Sequence, residues 1–262
     1  MNLKITFLLI ISILQFNVIN AQRLTIEGGP ISRYMAHGVD VGLADQEAFQ
    51  LGIYKPLPFH LNFVIWSSFA VDRKYDNLDE VNLLLKWSKS YWDDSRFQII
   101  LNCYIDYWFY HGIKMTADIN GNAIEKMILQ GNKANFGFSL PSLIKLYGKP
   151  LIISYDYFYW IPLFEKTFSK GGIHEFKLDY GLPLQFETKR QILKIGTSTN
   201  YSEKNILQPY SGWTNLALHI STKIISETWT LSPSIHYQWT WKKSINKENE
   251  FWFGFTIGKS YK

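Results

Sequence analysis

One cysteine, Cys103, stands in the 262 residues. A single thiol excludes an intramolecular disulfide and a thiolate metal cluster. Its distance from the N-terminus also excludes a lipid-anchored cysteine behind a leader. After residue 21 no run reaches the roughly 18 consecutive apolar residues that a membrane helix needs. The 27 Lys and Arg against 22 Asp and Glu give a net charge of +5. These basic residues are scattered, with no Lys/Arg-rich run and no nucleic-acid motif, so nucleic acid is not an expected partner. No phosphate-cradling glycine motif, zinc-ligand spacing or cofactor box occurs, and no cofactor, metal or catalytic set is expected. DINGNAIE at 118–125 has Gly121 at its fourth position, whereas a calcium loop needs glycine at the sixth; Asn120-Gly121 is turn chemistry.

The chain does have aromatics, at 17% of its residues, and a leader. MNLKITFLLIISILQFNVINAQ places Lys4 before an apolar run from Ile5 to Phe16 and a polar stretch ending at Ala21. This reads as a cleavable signal peptide over 1–21, leaving 22–262 as the exported domain.

Within that domain apolar and polar residues alternate in segments of about ten, which is the two-residue period of a strand with two unlike faces. In 228–242 the odd positions Trp229, Leu231, Pro233, Ile235, Tyr237, Trp239 and Trp241 oppose Thr228, Thr230, Ser232, Ser234, His236, Gln238, Thr240 and Lys242. Similar alternation runs through 59–68, 78–89, 96–108, 173–184, 211–225 and 248–262. Weaker segments lie near 24–36, 46–54, 134–146, 150–160 and 190–200, for about twelve strands in all. Short and long connections mostly alternate, as in a barrel with turns at one end and loops at the other. From Trp229 to Trp239 or Trp241, a tilt of about 40° gives about 26 to 31 Å along the axis, matching an apolar band of about 25 Å edged by aromatic girdles. The fold class expected is therefore all-β: a transmembrane antiparallel barrel in the bacterial outer membrane. Pro233 predicts a bulge or local bend. AIEKMILQG, within the long connection 109–133, predicts a short helix with Ile124, Met127 and Ile128 on one face.

SRYMAHGVDVG at 32–42, IWSS at 65–68, LDEVNLLLKWS at 78–88 and NCYIDYWFY at 102–110 resemble the TorF-type porin family of outer-membrane proteins. The likeness continues through PLIISYDYFYW at 150–160 and SGWTNLALHIS at 211–221. His37 stands where that family usually carries Arg before its glycine. The resemblance implies an outer-membrane barrel and a pore, without naming a substrate.

The polar faces supply the lumen candidates Arg33, His37, His60, Asn62, Glu80, Lys86, Arg96, Asp106, Asp156, Glu175, Lys177, Asp179, His219, Lys223, His236, Gln238 and Lys242. The girdle candidates are Trp229, Tyr237, Trp239, Trp241, Phe251 and Phe253, with Tyr157, Tyr159 and Trp160 also read as girdle aromatics. The function expected is passive diffusion of small polar solutes, with outer-membrane lipid as the other partner and no identifiable protein partner. The alternative is a structural or assembly-associated barrel whose charges pair and close the lumen. Asn215, His219 and Ser221 share one face and raise a remote third reading, a lipid hydrolase, although that face is the inferred lumen and lipid hydrolysis needs a nucleophile facing lipid.

Overall fold

The computed structural model describes residues 23–37, 39–40, 47–72, 79–117, 123–162, 170–186, 189–205, 210–242, 246 and 248–261. The expected signal peptide and its cleavage site lie outside these. The strands are β1 (Leu24–Ile31), β2 (Met35–Ala36), β3 (Val39–Asp40), β4 (Ala48–Leu57), β5 (Leu61–Ala70), β6 (Glu80–Tyr91) and β7 (Ile99–Ala117). They continue with β8 (Ala123–Leu146), β9 (Lys149–Pro162), β10 (Gly171–Phe186), β11 (Lys189–Glu203), β12 (Ser211–Ser226), β13 (Trp229–Thr240) and β14 (Glu250–Tyr261). Twelve of them close into one antiparallel barrel, each beside its chain neighbours, with β1 pairing β14 on one side and β4 on the other. The remaining two, β2 and β3, form a small hairpin of their own between β1 and β4.

Alternation decides which side each residue takes. In β13, Trp229, Ile235 and Trp239 are exposed while Gln238 is fully buried. In β14, Phe251, Phe253, Phe255 and Ile257 are exposed while Glu250 and Trp252 are buried. Apolar side chains thus point out and polar ones in, the inverse of a water-soluble barrel. An outer surface of this kind requires lipid. Among the described residues no helix is long and apolar enough to cross a membrane.

Most turns at one end are two or three residues long, the exception being 92–98 between β6 and β7. Tyr147 and Gly148, with φ of 48° and 74°, join β8 to β9 in the left-handed geometry of a tight hairpin. Glu227 and Thr228 join β12 to β13, with Glu227 at φ 48°. The start of β1 and the end of β14 also lie at this turn end, because Leu24 pairs with Tyr261. The longer connections, including the one carrying β2 and β3, lie at the opposite, loop end.

Three local expectations are corrected. Residues 124–131 belong to β8, whose pairing with β7 satisfies the backbone in place of helical bonds. Pro233 produces no bulge: β13 keeps constant register with β14, from Trp229↔Lys259 to Gln238↔Glu250. Its missing N–H falls toward β12, where the ladder skips from Ser221↔Ser234 to Ile224↔Leu231 without a shift. The proline in an irregular stretch is Pro141, within the slip of β8 against β9 between Leu140 and Ile144. Finally, the first wall strand stops at Ile31, and residues 32–37 leave the wall.

Ile235, midway along β13 and facing out, gives a direct test. Ile235→Arg is expected to destabilise the barrel by about 2–4 kcal/mol, the depth-dependent cost of an exposed cation near the bilayer midplane. Ile235→Leu should change stability by less than about 0.5 kcal/mol. Equilibrium denaturant titration in phospholipid vesicles measures both.

Candidate functional site

Residues 32–37 turn into the barrel from the loop end of β1. The Arg33 guanidinium pairs with the Glu250 carboxylate at the start of β14. The Tyr34 hydroxyl donates to Glu80 at the start of β6. His37 lies with its ring 4.2 Å from that of Phe158 and 5.0 Å, edge-on, from that of Trp160, both on β9. Its carbonyl accepts a 2.9 Å hydrogen bond from the Asn200 amide of β11.

In the ring of twelve, β9 is six strands from β1 in either direction. Strand spacing near 4.8 Å and a tilt of about 40° put opposite backbones about 24 Å apart. Six residues reach about 20 Å, so with its ring included the segment spans the lumen. Tyr34 packs there with Trp108, Phe158, Trp160 and Ile173, all less than a tenth exposed, backed by Ile31, Ala36, Trp66 and Tyr104.

Below this crossing the interior differs from side to side. Across β9–β12 it is ionic. Lys177 pairs with Glu175 and, at 3.5 Å, with Asp156. Asp156 also accepts at 3.3 Å from both Asn102 and Asn135. Asp179 binds Lys194 at 2.9 Å and His219 at 2.8 Å. Two of these contacts reach over an intervening strand, and both do so above glycine. Asn102 and Asp156 meet over Gly137, and Asp179 and His219 over Gly196, where a Cβ would collide with the pair.

The other side, from β13 round to β8, holds a cavity of about 560 Å³ roofed by Tyr34 to His37. Its lining includes Trp66, Trp108 and Trp252 with Asn82, Lys86 and His236. Asp106, fully buried, pairs with Lys133 at 3.0 Å on its wall. His236 stacks flat on Trp252 at 4.8 Å. Lys86 rests 5.6 Å above the Tyr104 ring, and among the described residues no carboxylate lies within ion-pair reach of it. Among the described residues no donor reaches the buried Asn82 amide oxygen.

Three lumen candidates lie elsewhere. His60 occupies the exposed turn between β4 and β5 at φ 63°, Arg96 the exposed turn after β6, stacked on Phe97 at 4.7 Å, and Lys242 the exposed stretch past β13. Each falls beyond a strand end, where alternation no longer fixes a side. Asn62 lies in register with Lys86, Lys223 is exposed near the turn end of β12, and Gln238 is buried against Asn215 at 3.0 Å. Among the girdle candidates Trp229, Trp239, Trp241, Phe251 and Phe253 are exposed, and Tyr237 is half-buried.

Trp160 is corrected from girdle to interior: it is buried and lines the cavity. Phe158 and Lys133 also escaped the sequence reading, although Asp156, Phe158 and Trp160 share one parity in YDYFYW, and Asp156 alone identifies that side as polar. Asn215, His219 and Ser221 do not converge on a reacting point. Asn215 bonds Gln238 and His219 bonds Asp179, and among the described residues no hydrogen bond joins His219 to Ser221.

No family model and no curated relative matches the chain. Solved structures match its fold. The β-domain of the Bordetella autotransporter BrkA is similar with a TM-score of 0.50 at 8% identity, over 92% of this chain and 98% of that one. An outer-membrane channel from Pseudomonas putida F1 is similar with a TM-score of 0.52 at 8% identity, over 92% and 95%. With the closed twelve-stranded sheet and the apolar outer rows, this places the chain among bacterial outer-membrane β-barrels.

Burial holds the His37 imidazole well below its ordinary value, with the Lys133 and Lys177 cations acting in the same direction. The inserted segment therefore holds a neutral imidazole, whereas a released one takes up a proton below about pH 6.5. Insertion is at full strength above that pH and weakens as pH falls through it, by up to about 2 kcal/mol at pH 5. Amide exchange of residues 33–37, corrected for the intrinsic rate, is expected to accelerate on going from pH 7.5 to 5. In His37→Gln this acceleration should vanish, and in Tyr34→Phe exchange should be faster at both pH values.

Proposed function

We propose that this chain is an outer-membrane channel for small polar solutes, of the TorF-type porin kind that its sequence resembles, with its mouth narrowed by residues 32–37. The observation that supports this most is the state of the cavity wall. An unpaired lysine and an unpaired amide oxygen sealed into a dry interior would each cost several kcal/mol or be replaced by apolar residues. Lys86 and Asn82 both stand at such positions beside a cavity of about 560 Å³. Water and passing solutes remove that cost. The aromatic roof restricts the path, and Lys86 supplies a fixed positive charge within it.

The pairing of Asp156, Glu175, Lys177, Asp179, Lys194 and His219 on the opposite wall favours a second reading, a closed barrel with a structural or assembly role. Planar-bilayer recordings separate the two. A channel gives discrete conductance steps, larger ones when residues 33–37 are deleted, and a reversal potential that Lys86→Glu moves toward cation preference. A barrel that stays silent over voltage and salt, both intact and without the segment, is the closed scaffold.

A further inference from the structure

The outward face of β11 breaks the apolar surface around it. One row of outward residues across the strands reads Phe138, Tyr155, Phe176, Thr199, Leu216 and Trp239 in register. The next row toward the turns reads Leu140, Ile153, Leu178, Thr197, Leu218 and Tyr237. In both rows a threonine sits where its neighbours carry large side chains, which leaves a trough along β11 with a volume of about 660 Å³. Its floor is dry. Thr197 donates to the Ala217 carbonyl at 2.9 Å and Thr199 to that of Asn215 at 2.7 Å, so both hydroxyls are satisfied by the main chain.

The loop end of the trough is polar. Tyr155, which walls it, has its hydroxyl 2.7 Å from His174 Nδ1. His174 Nε2 lies 2.9 Å from Glu203, whose other oxygen accepts from Tyr157 at 2.9 Å. Glu203 is the one carboxylate of the cluster, and each of its oxygens holds one of these contacts. The Glu203 side chain is 40% exposed.

We propose that the trough and this cluster form one lipid-binding site, holding an acyl chain along Thr199 and Thr197 and an ammonium-bearing head group at Glu203. The dimensions agree. From Tyr201 to Ile195 the strand runs about 20 Å, which at a tilt of about 40° descends about 15 Å, from head-group level to the bilayer midplane. The charge agrees as well, since a carboxylate at that level attracts a cation and repels an anionic head group. The site stands whether or not the lumen conducts.

The test is native mass spectrometry of the full chain released from bilayers holding equal amounts of phosphatidylethanolamine and phosphatidylglycerol with identical chains. One phosphatidylethanolamine is expected to stay bound, preferred about tenfold, the scale of one charge-assisted hydrogen bond. Thr197→Phe, which fills the trough, should abolish the retained lipid. Glu203→Gln should keep the lipid and lose the preference. Equal retention of both lipids, unchanged by either substitution, would mean annular lipid only and overturn the proposal.

Discussion

A sheet that crosses lipid must close, because the bilayer core offers no water to an unpaired backbone N–H or C=O. Here closure rests on the pairing of β1 with β14, from Leu24↔Tyr261 to Ile31↔Gly254. The first strand is only eight residues long, and it must be gripped on both sides, by β14 and by β4. Its glycines serve that grip. A Cβ on Gly29 would collide with the Phe255 carbonyl, so the approach that joins the last strand to the first depends on its absence. Once the ring closes, the start of β1 and the end of β14 lie at the turn end, and the connection carrying β2 and β3 lies at the other.

Closure at twelve strands creates a second demand. A ring about 24 Å across is wider than its own side chains fill without long reaches. The protein meets this differently on the two sides. From β7 round to β12, acids and their partners extend toward each other over glycines, so a missing side chain on one strand makes room for a contact between its two neighbours. Near the loop end, the chain itself supplies the filling. Residues 32–37 bring Tyr34 and His37 into a wall of aromatics that would otherwise face an open mouth. Both devices place polar groups where partners are fixed by strand register, and the wall near Lys86 is where neither reaches.

The sequence shows the strands well because the barrel imposes the same two-residue period on nearly every segment, with lipid and lumen demanding opposite chemistries. The same period hides the departures. Residues 24–36 read as one strand because an extended segment crossing the lumen alternates as a wall strand does. What pulls it inward is Glu80, 46 residues beyond Tyr34, together with Glu250 at the far end of the chain. The apolar spacing of 124–131 fits a helix, yet a long partner strand was already available in β7. His60, Arg96 and Lys242 continue a pattern past the point where the strand ends. The pairs over Gly137 and Gly196 join strands two apart, and a single sequence contains no signal for that adjacency.

The inserted segment and the wall differ in how strongly they are held. Each wall strand is fixed by two hydrogen-bond ladders and cannot leave without exposing its backbone to lipid. Residues 32–37 are held by side-chain contacts and a few main-chain bonds, among them that of the Ser32 N–H to the Phe253 carbonyl, each worth on the order of 1–3 kcal/mol, rather than by two ladders. Release of the segment therefore costs far less than opening the barrel, and it leaves the closed sheet intact. An uncharged imidazole at its tip makes that cost depend on pH, while Glu80 and Glu250 are left to water instead of to Tyr34 and Arg33. Under the channel reading, a closed interior and an open one would differ by a single short segment rather than by a change of fold.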